Sequence, residues 1–389
     1  MKKILYFLVS IFLFTLSIKA DEIKVDKELG EYAKNSKSAV LIEASTKTVL
    51  YEKNSHEKLA PASMTKIMTL LLTMEAIDKG KLSYDDEVLV SKRAAGMGGT
   101  QIFISEGTTV KVIDLLKGIG IASANDAAVA LAEKVGGTYD NFVMMMNKRA
   151  KELGAVDTSF KNPHGLDEEG HYSTAYDMAL IASELIKHES ILEITSTYEE
   201  NINVNGQNHW LVNTNKLVRF YKGMDGLKTG FTDKAKYCLT GTMKKNDMRL
   251  ISVTMGVDTK EGRNEDTISM MEYGFSVYGI KNVLKSNKPL GNIYVNNANP
   301  RNIKYYVEED INILVDKNTE EIKYELKKEF NNIKAPLKKG DVVGKIYLNY
   351  NNKTYEYNLI VKEDIKKSSY FRMLLNNLKD IISGKVNAL

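Results

Sequence analysis

The apolar pattern of residues 39–277 changes between strand-like and helix-like segments. Alternating and β-branched residues on either side of Ser45-Thr46-Lys47 predict a hairpin over 39–52. Apolar residues on nearly every face predict a buried helix over 64–77, and further helices are predicted over 110–135, 139–153, 175–187 and 264–277. Strands are predicted over 237–243 and 249–256. Strands at both ends with helices between them favour an α/β fold, with one antiparallel sheet covered by helices.

The pattern changes again near residue 285. Helical periodicity fades, and short apolar segments recur with Asn, Lys and Gly between them, at 293–295, 311–315, 321–326, 342–350 and 354–361. Short strands separated by turn residues are typical of a small all-β module. We therefore expect a first domain over 21–284 and a β-rich domain over 285–365.

Residues 366–389 are predicted to form an amphipathic helix. Its apolar residues follow helical spacing on one face: Phe371, Leu374, Leu375, Leu378, Ile381 and Ile382. Basic residues outnumber the one acid, Asp380, in this segment. Such a helix can lie in a membrane interface with its cations toward anionic head groups. The alternative is an ordinary surface helix that packs on the β-rich domain.

Residues 1–20 have the pattern of an export signal. Lys2 and Lys3 precede the apolar run from Ile4 to Ile18, and Asp21 follows soon after. The run is shorter than the about 20 residues that a membrane-spanning helix needs, so a signal peptide is favoured over an uncleaved anchor. Either reading places the remaining chain outside the cytoplasm, at the outer face of the membrane or in the cell wall.

Composition narrows the class of protein. With 389 residues, 43% hydrophobic and 27% charged, the chain has enough apolar material for two folded units. The single cysteine, Cys238, cannot form an internal disulfide and lies in an apolar run, which favours a packing role. The basic excess is concentrated at the C-terminus rather than over the body, which argues against binding to nucleic acid.

Two Ser-x-x-Lys patterns provide candidate nucleophiles, Ser55 with Lys58 and Ser63 with Lys66. Ser55 lies in a polar stretch that is expected to be a solvated loop, whereas Ser63 lies at the start of the predicted buried helix. A spacing of three places Ser63 and Lys66 on one helix face. A serine hydroxyl needs a nearby base, and burial next to another cation can keep a lysine neutral enough to act as one. The alternative is a helix-capping serine beside a surface lysine.

Two further motifs favour the catalytic interpretation. Ser123-Ala124-Asn125 is the chain's one Ser-x-Asn, and Lys228-Thr229-Gly230 its one Lys-Thr-Gly, located 60 and 165 residues after Ser63. This ordered trio is known from penicillin-binding proteins and class A β-lactamases. Each motif is weak by itself, but the ordered set is specific.

The chain resembles the serine-type D-alanyl-D-alanine carboxypeptidases, a family of low-molecular-mass penicillin-binding proteins. Besides the trio, the resemblance includes residues 61–66, the run Asn162-Pro163-His164-Gly165-Leu166, residues 171–175, and residues 335–340 in the β-rich domain. It covers essentially all of residues 30–389. The resemblance implies a penicillin-binding-protein/β-lactamase-like transpeptidase fold, followed by a small β domain. Ala124 stands where β-lactamases have an aspartate, which favours the carboxypeptidases.

The resemblance also implies roles for individual residues. Ser63 would attack the penultimate D-alanine carbonyl of a peptidoglycan stem peptide, and neutral Lys66 would be the general base. Ser123 would pass a proton to the leaving amine, and Asn125 would hold the substrate amide. Lys228 would help keep Lys66 neutral.

The same resemblance assigns substrate-binding residues. Thr229 would bind the terminal carboxylate, and Gly230 would leave room for the substrate to lie beside its strand. Backbone N–H groups of Ser63 and Phe231 would form the oxyanion hole. Arg263, twelve residues before Phe275, would act on the carboxylate side, and its alternative is a surface-helix arginine. β-Lactams would be covalent inhibitors.

Other functions are disfavoured but stay open. A β-lactamase would need a Glu-x-x-Leu-Asn pattern, which residues 155–180 do not contain. A transpeptidase, an endopeptidase and a non-catalytic penicillin-sensing or wall-binding module remain alternatives. His164 and His171 flank Asp167 without a zinc motif such as His-Glu-x-x-His, so neither a metal nor another cofactor is expected.

Overall fold

A computed structural model describes residues 31–204, 206–319 and 321–382 of the chain. The signal peptide predicted over residues 1–20 lies outside the described residues and stays a prediction.

The helices and strands of the described residues run as follows. The helices are α1 (Lys66–Asp78), α2 (Lys92–Ala95), α3 (Val112–Lys117), α4 (Asn125–Gly136), α5 (Tyr139–Glu152), α6 (Ala175–Leu185), α7 (Glu189–Ser196), α8 (Leu217–Phe220), α9 (Lys260–Val277) and α10 (Tyr370–Ile382). The first strands are β1 (Ser38–Glu43), β2 (Val49–Lys53), β3 (Glu87–Leu89), β4 (Thr109–Lys111), β5 (Glu199–Val204), β6 (Gln207–Val212), β7 (Met224–Thr232), β8 (Lys236–Lys245) and β9 (Met248–Val257). The later strands are β10 (Tyr278–Leu284), β11 (Gly291–Tyr294), β12 (Ala298–Asn299), β13 (Asn302–Val307), β14 (Ile311–Asp316), β15 (Glu325–Phe330), β16 (Val342–Tyr350), β17 (Lys353–Ile360) and β18 (Lys366–Lys367).

One five-stranded antiparallel sheet organises the first part of the chain, in the order β2-β1-β9-β8-β7. Successive side chains of a strand point to opposite faces of the sheet. On β1, Val40 and Ile42 therefore join the core beneath α1, α4 and α6, while Ala39 and Leu41 join the core beneath α9. Both faces are covered, so the predicted helix-covered antiparallel sheet is confirmed.

The single helix predicted over 110–135 is wrong. The segment contains β4, α3, a π-helical segment Gly118–Ala122 and α4, with Ser123 in the left-handed region at φ 68°. Gly118 and Gly120 pack against Ile102 and Ile194 so closely that an added Cβ would lie 3.0 and 2.9 Å from their side chains. Close packing against neighbours therefore overrides the continuous helical pattern, and the break turns Ser123 out of the helix.

The helix predicted over 64–77 also begins later than expected. Ala62–Thr65 form a 3₁₀ turn, and the α-helix starts at Lys66. Lys66 to Met74 are all buried, which explains why apolar residues occur on every face of the pattern.

The β-rich part has its own core. β11, β13, β17, β16 and β15 form a second five-stranded sheet around a cluster that includes Val307, Ile313, Ile346 and Leu359. The strand predicted over 321–326 is displaced, since β15 starts at Glu325. The strand β10 pairs with β14, so strand pairing in this part begins at Tyr278, before the predicted boundary at residue 285. The domain bounds stay a prediction.

The C-terminal segment is helical where the structure describes it. α10 exposes Tyr370, Phe371, Ile381 and Ile382 strongly, and Arg301 donates to Asn377 Oδ1 at 2.7 Å. Within the described residues, none of the helices combines the length and apolar character needed to cross a membrane.

Candidate active site

The proposed nucleophile lies on a constrained turn. Ser63 is the second residue of the 3₁₀ turn, after Pro61 and after Ala62 at φ 47°. A left-handed alanine carries backbone strain, which the surrounding packing must hold in place. Two glycines make that packing possible. An added Cβ on Gly230 would lie 2.8 Å from Pro61 O, and one on Gly165 would lie 1.8 Å from Ala62 O.

Lys66 is completely buried directly beneath this turn. Its Nζ lies 2.9 Å from Ser63 Oγ, 2.7 Å from Asn125 Oδ1 and 2.6 Å from the backbone oxygen of His164. The lysine therefore connects the serine turn, the start of α4 and the loop before α6. Burial of an amine with good acceptors on every side fixes its position and its direction.

Burial also determines the protonation of this amine. Desolvation, followed by the nearby charge of Lys228, lowers the pKa of Lys66 well below its ordinary value of 10.5, against a smaller opposing effect of Asp126. Burial and the guanidinium of Arg263 lower the pKa of Lys228 to about 7. A lowered pKa means that Lys66 carries less proton at neutral pH than a surface lysine.

The Ser-x-Asn motif contributes to the same site from a different segment of the chain. Ser123 is nearly buried and lines the cleft that contains Ser63. Asn125 begins α4, and its Nδ2 donates to Gly98 O at 2.7 Å while its Oδ1 accepts from Lys66. Both polar groups of this amide thus have partners within the protein. The expectation that Asn125 holds the substrate amide stays a prediction.

The Lys-Thr-Gly motif lies on β7, one of the two edge strands of the main sheet. Lys228 is buried and donates to Thr229 O at 3.2 Å, while the Thr229 side chain donates to Thr214 Oγ1 at 2.8 Å. Gly230 has a structural reason for its missing side chain, because β7 could not otherwise approach Pro61. Whether it also leaves room for substrate stays a prediction.

A cleft of about 510 Å³ brings the motifs together. It is lined by Ser63, Thr100, Ser123, Val212, Asn213, Thr214, Lys216, Thr229, Gly230, Phe231, Tyr237, Lys260 and Arg263. Arg263 is buried on α9 rather than spread on its surface, and it donates to Asn264 Oδ1 at 2.9 Å. Every proposed site residue therefore lies in the cleft or touches a residue that lines it. The role of each residue remains to be tested.

The sequence analysis did not identify several groups that line the cleft or contact Lys66. Lys260, one helical turn before Arg263, could have been found from its spacing on α9. Thr214 had no recognisable signal, because a lone Asn-Thr-Asn segment indicates nothing about a contact with β7. The His164 carbonyl was equally hidden, since a backbone atom carries no side-chain signature. Residues 162–166, which include His164, stand out in the sequence only through the family resemblance.

Two polar residues outside the trio, Ser55 and His171, have structural partners. Ser55 was expected in a solvated loop, and that is wrong, since it is buried and donates to Glu52 Oε2 at 2.5 Å. His171 Nδ1 accepts from the Lys161 N–H, so its Nε2 donates to Thr65 Oγ1 at 2.8 Å. Burial lowers the pKa of His164 to about 3 and that of His171 to about 4. The described residues contain no group of three or more His, Cys, Asp or Glu side chains placed to hold a metal ion.

Comparisons with known proteins agree with this geometry. A family model described as D-alanyl-D-alanine carboxypeptidase matches residues 25–259, and one described as penicillin-binding protein 5, C-terminal domain, matches residues 278–367. The chain is 47% identical to D-alanyl-D-alanine carboxypeptidase DacF of Bacillus subtilis, over 96% of this chain and 97% of the relative.

Solved structures of penicillin-binding proteins are similar to this chain as well. Penicillin-binding protein 5 of Haemophilus influenzae matches with a TM-score of 0.67 and 32% identity, covering 86% of this chain and 98% of that one. Penicillin-binding protein D2 of Listeria monocytogenes, in an ampicillin-bound form, matches with a TM-score of 0.56 and 35% identity, covering 62% of this chain and 98% of that one.

The packing beneath the serine turn predicts a strong effect of Gly165→Ala. Gly165 has φ +90° and faces Ala62 O, whereas Gly80 has φ +66° and open space around it. Gly80→Ala should cost about 1 kcal/mol in free energy of unfolding through backbone strain, and Gly165→Ala about 3 kcal/mol through strain and overpacking. Urea denaturation of both variants measures the difference. Equal costs would contradict close packing at this turn.

Proposed function

Because the chain belongs to the D-alanyl-D-alanine carboxypeptidase family, we propose that Ser63 is the nucleophile with which it removes the terminal D-alanine of peptidoglycan stem peptides. The enzyme is a serine-type carboxypeptidase, a hydrolase that transfers the acyl group to water. The observation that carries the residue assignment is the position of Lys66 Nζ, 2.9 Å from Ser63 Oγ in a fully buried setting.

Acylation follows from the hydrogen-bond geometry of Lys66. A neutral amine has two N–H groups and one lone pair. The carbonyl oxygens of Asn125 and His164 take the two N–H groups, so the lone pair faces Ser63 Oγ. Lys66 then accepts the hydroxyl proton as Oγ attacks the carbonyl carbon of the penultimate D-alanine. The N–H groups of Ser63 and Phe231 stabilise the oxyanion.

Collapse of the tetrahedral intermediate breaks the peptide bond. Ser123 gives its hydroxyl proton to the leaving nitrogen and is reprotonated from Lys66, and the terminal D-alanine departs. Water then attacks the acyl-enzyme ester, Lys66 accepts its proton, and Ser63 Oγ is released with a proton. Each step returns Lys66 to the neutral state, so no external base is consumed.

Positive charge in the lining of the cleft favours a substrate with a free carboxylate. Thr229 and Arg263 line the cleft, and none of its lining residues is an aspartate or glutamate. A terminal carboxylate is therefore held by a hydroxyl and a guanidinium, which favours an exopeptidase over cleavage inside a chain. β-Lactams carry a comparable carboxylate beside a strained amide. We infer that they acylate Ser63 as well.

The site of action is inferred from the family and from the two terminal segments of the chain. Family members act on the cell wall, so the catalytic part works outside the cytoplasm. The signal peptide predicted over 1–20 would export it. We propose further that α10 holds the enzyme at the outer face of the membrane. Its exposed apolar residues include Phe371, Leu374, Leu375 and Leu378, and Lys379 lies outside that stripe.

The next prediction concerns the identity of the nucleophile. Ser63→Ala should lose covalent labelling by a fluorescent penicillin and release no D-alanine, because the hydroxyl that forms the ester is gone. Ser55→Ala is the matched control, since it belongs to the second Ser-x-x-Lys pattern and should keep both activities. Peptide mapping by mass spectrometry locates the adduct. An adduct that survives in Ser63→Ala would overturn the assignment.

A further prediction concerns the pH dependence of acylation. The pKa of Lys66 is lowered in the folded protein, so more of the neutral base is present at neutral pH than for a surface lysine, and it is lost as pH falls through that pKa. The rate constant of penicillin acylation should therefore show an acid limb with a slope of about one. Lys228→Met removes a neighbouring cation, which should raise the pKa of Lys66 and move the limb to higher pH.

The histidine side chain provides the control for this assignment. His164→Gln keeps the backbone carbonyl that binds Lys66 and removes only the imidazole, whose pKa burial lowers to about 3. The limb should not move in this variant. If the acid limb moved in His164→Gln but not in Lys228→Met, the titrating group would be the imidazole and not Lys66.

Another prediction concerns binding to the membrane. Leu378 lies in the apolar stripe of α10, and Asn376 lies about 200° away around the helix. Leu378→Lys should reduce cosedimentation with vesicles containing anionic lipid, and Asn376→Lys, which adds the same charge, should maintain it. Penicillin labelling should be equal in both. Identical vesicle binding by the two variants would exclude insertion of this face.

A further inference from the structure

A buried carboxylate that takes no part in the proton transfers lies next to the catalytic centre. Asp126 follows Asn125 at the start of α4 and is completely buried. Burial of a carboxylate is costly unless hydrogen bonds or a cation compensate it. The partners of Asp126 therefore indicate what it does in the fold.

Backbone N–H groups surround this carboxylate. Its Oδ1 accepts from the Ala127 N–H at 2.8 Å, the Ile102 N–H reaches Oδ1 and Oδ2 at 3.2 and 3.1 Å, and the Ile104 N–H donates to Oδ2 at 3.2 Å. Burial raises the pKa of Asp126, and these N–H groups oppose that rise. Ile102 and Ile104 belong to residues 98–104, a stretch without helix or strand between α2 and β4. We call residues 98–104 the cleft loop.

The cleft loop bends to reach the carboxylate. Phe103 has φ 57°, and its side chain has an exposed fraction of 67%. The left-handed conformation carries strain for a bulky residue, and an exposed side chain offers little packing to offset it. The bend lets the N–H groups of Ile102 and Ile104 point to one anion, as in other backbone turns that bind anions. Asp126 therefore accounts for a conformation that the Phe103 side chain does not explain.

The other end of the cleft loop contacts Asn125. Gly98 O accepts from Asn125 Nδ2, and Thr100 O accepts from the Asn125 N–H, both at 2.7 Å. Gly99 approaches so closely that an added Cβ would lie 2.8 Å from Asn125 Nδ2. Within the described residues, the backbone hydrogen bonds of the cleft loop go to Asn125 and Asp126. Asp126 thus holds a loop that in turn contacts the neighbouring asparagine.

The contact with Gly98 determines which way the Asn125 amide faces. A carbonyl oxygen can only accept a hydrogen bond, so the amide NH₂ faces Gly98 O and Oδ1 faces Lys66. A reversed amide would donate to Lys66 Nζ instead. That bond would occupy the lone pair of the amine and leave none for the Ser63 hydroxyl. The position of Gly98 O therefore controls whether Lys66 can act as a base.

We propose that Asp126 is a positioning residue for acyl transfer. Its carboxylate holds the cleft loop against Asn125, and the loop fixes the amide that orients Lys66. This inference rests on the proposed roles of Ser63 and Lys66 and deepens them. Asp126 is buried and does not line the cleft, so its loss should slow acylation without changing how an antibiotic first binds.

Asp126→Asn tests the proposal, because it keeps the shape of the side chain and turns one acceptor into a donor that faces other donors. The rate constant of penicillin acylation, measured on the plateau above the acid limb, should fall roughly ten- to a hundredfold. The dissociation constant of the first noncovalent complex should stay the same. The charge of Asp126 raises the pKa of Lys66, so its loss leaves no less neutral amine. A slower plateau therefore does not arise from a protonated base.

A pair of glycine variants tests the same contact without removing a charge. Gly99 and Gly107 have φ 77° and 76°, so alanine costs a similar backbone strain at both. A new Cβ meets Asn125 only at Gly99, whereas Gly107 has open space around it. Gly99→Ala should slow acylation severalfold, and Gly107→Ala should keep the wild-type rate constant. Equal rate constants in the two variants would overturn the coupling of the cleft loop to Lys66.

Glu43→Gln is the matched control for Asp126→Asn. Glu43 is also a buried carboxylate that accepts from backbone N–H groups, those of Ser45 and Thr46, but it holds the turn between β1 and β2. Both variants should lose stability in urea denaturation. Only Asp126→Asn should acylate more slowly in the folded state.

The possible outcomes separate a positioning role from a structural one. A folded Asp126→Asn with the wild-type rate constant, or an equal slowing in Glu43→Gln, would overturn the proposal. If Asp126→Asn did not fold, the comparison of Gly99→Ala with Gly107→Ala would decide. A wild-type protein that is not acylated at Ser63 would contradict the proposed function itself.

Discussion

The rest of the structure depends on one buried amine. Lys66 can lie without solvent only because oxygens of Ser63, Asn125 and His164 surround its Nζ, and these come from three separate segments of the chain. Desolvation lowers its pKa, which converts an ordinary cation into a base. The helices α1 and α4 and the loop before α6 must therefore dock together before the serine has a proton acceptor. Burial and reactivity have the same physical origin here.

Much of this arrangement could be predicted from the sequence. The spacing of Ser63 and Lys66 on one helix face, the two later motifs, and the antiparallel sheet all followed from short patterns and from the resemblance that those patterns supported. Cys238 was expected in a buried strand and lies completely buried on β8. These features depend on local periodicity or on motif order, which a single sequence retains.

What could not be predicted depends on contacts between distant segments. The helix expected over 110–135 is broken because Gly118 and Gly120 meet Ile102 and Ile194, and no local pattern indicates those neighbours. Ser55 looks solvated in its polar stretch, yet tertiary packing buries it. The acceptor that His164 provides is a main-chain atom, which side-chain identity does not encode.

The two glycines that pack against the serine turn also restrict which substitutions the active site can accept. Gly165 and Gly230 approach residues 61–63 from different segments, and a Cβ added to either would lie 2.8 Å or less from a backbone oxygen of that turn. The floor beneath the nucleophile thus offers no room for enlargement or for repositioned side chains. Adaptation to a new antibiotic would have to proceed through other residues that line the cleft, such as Lys216 and Lys260, where variation leaves the floor intact.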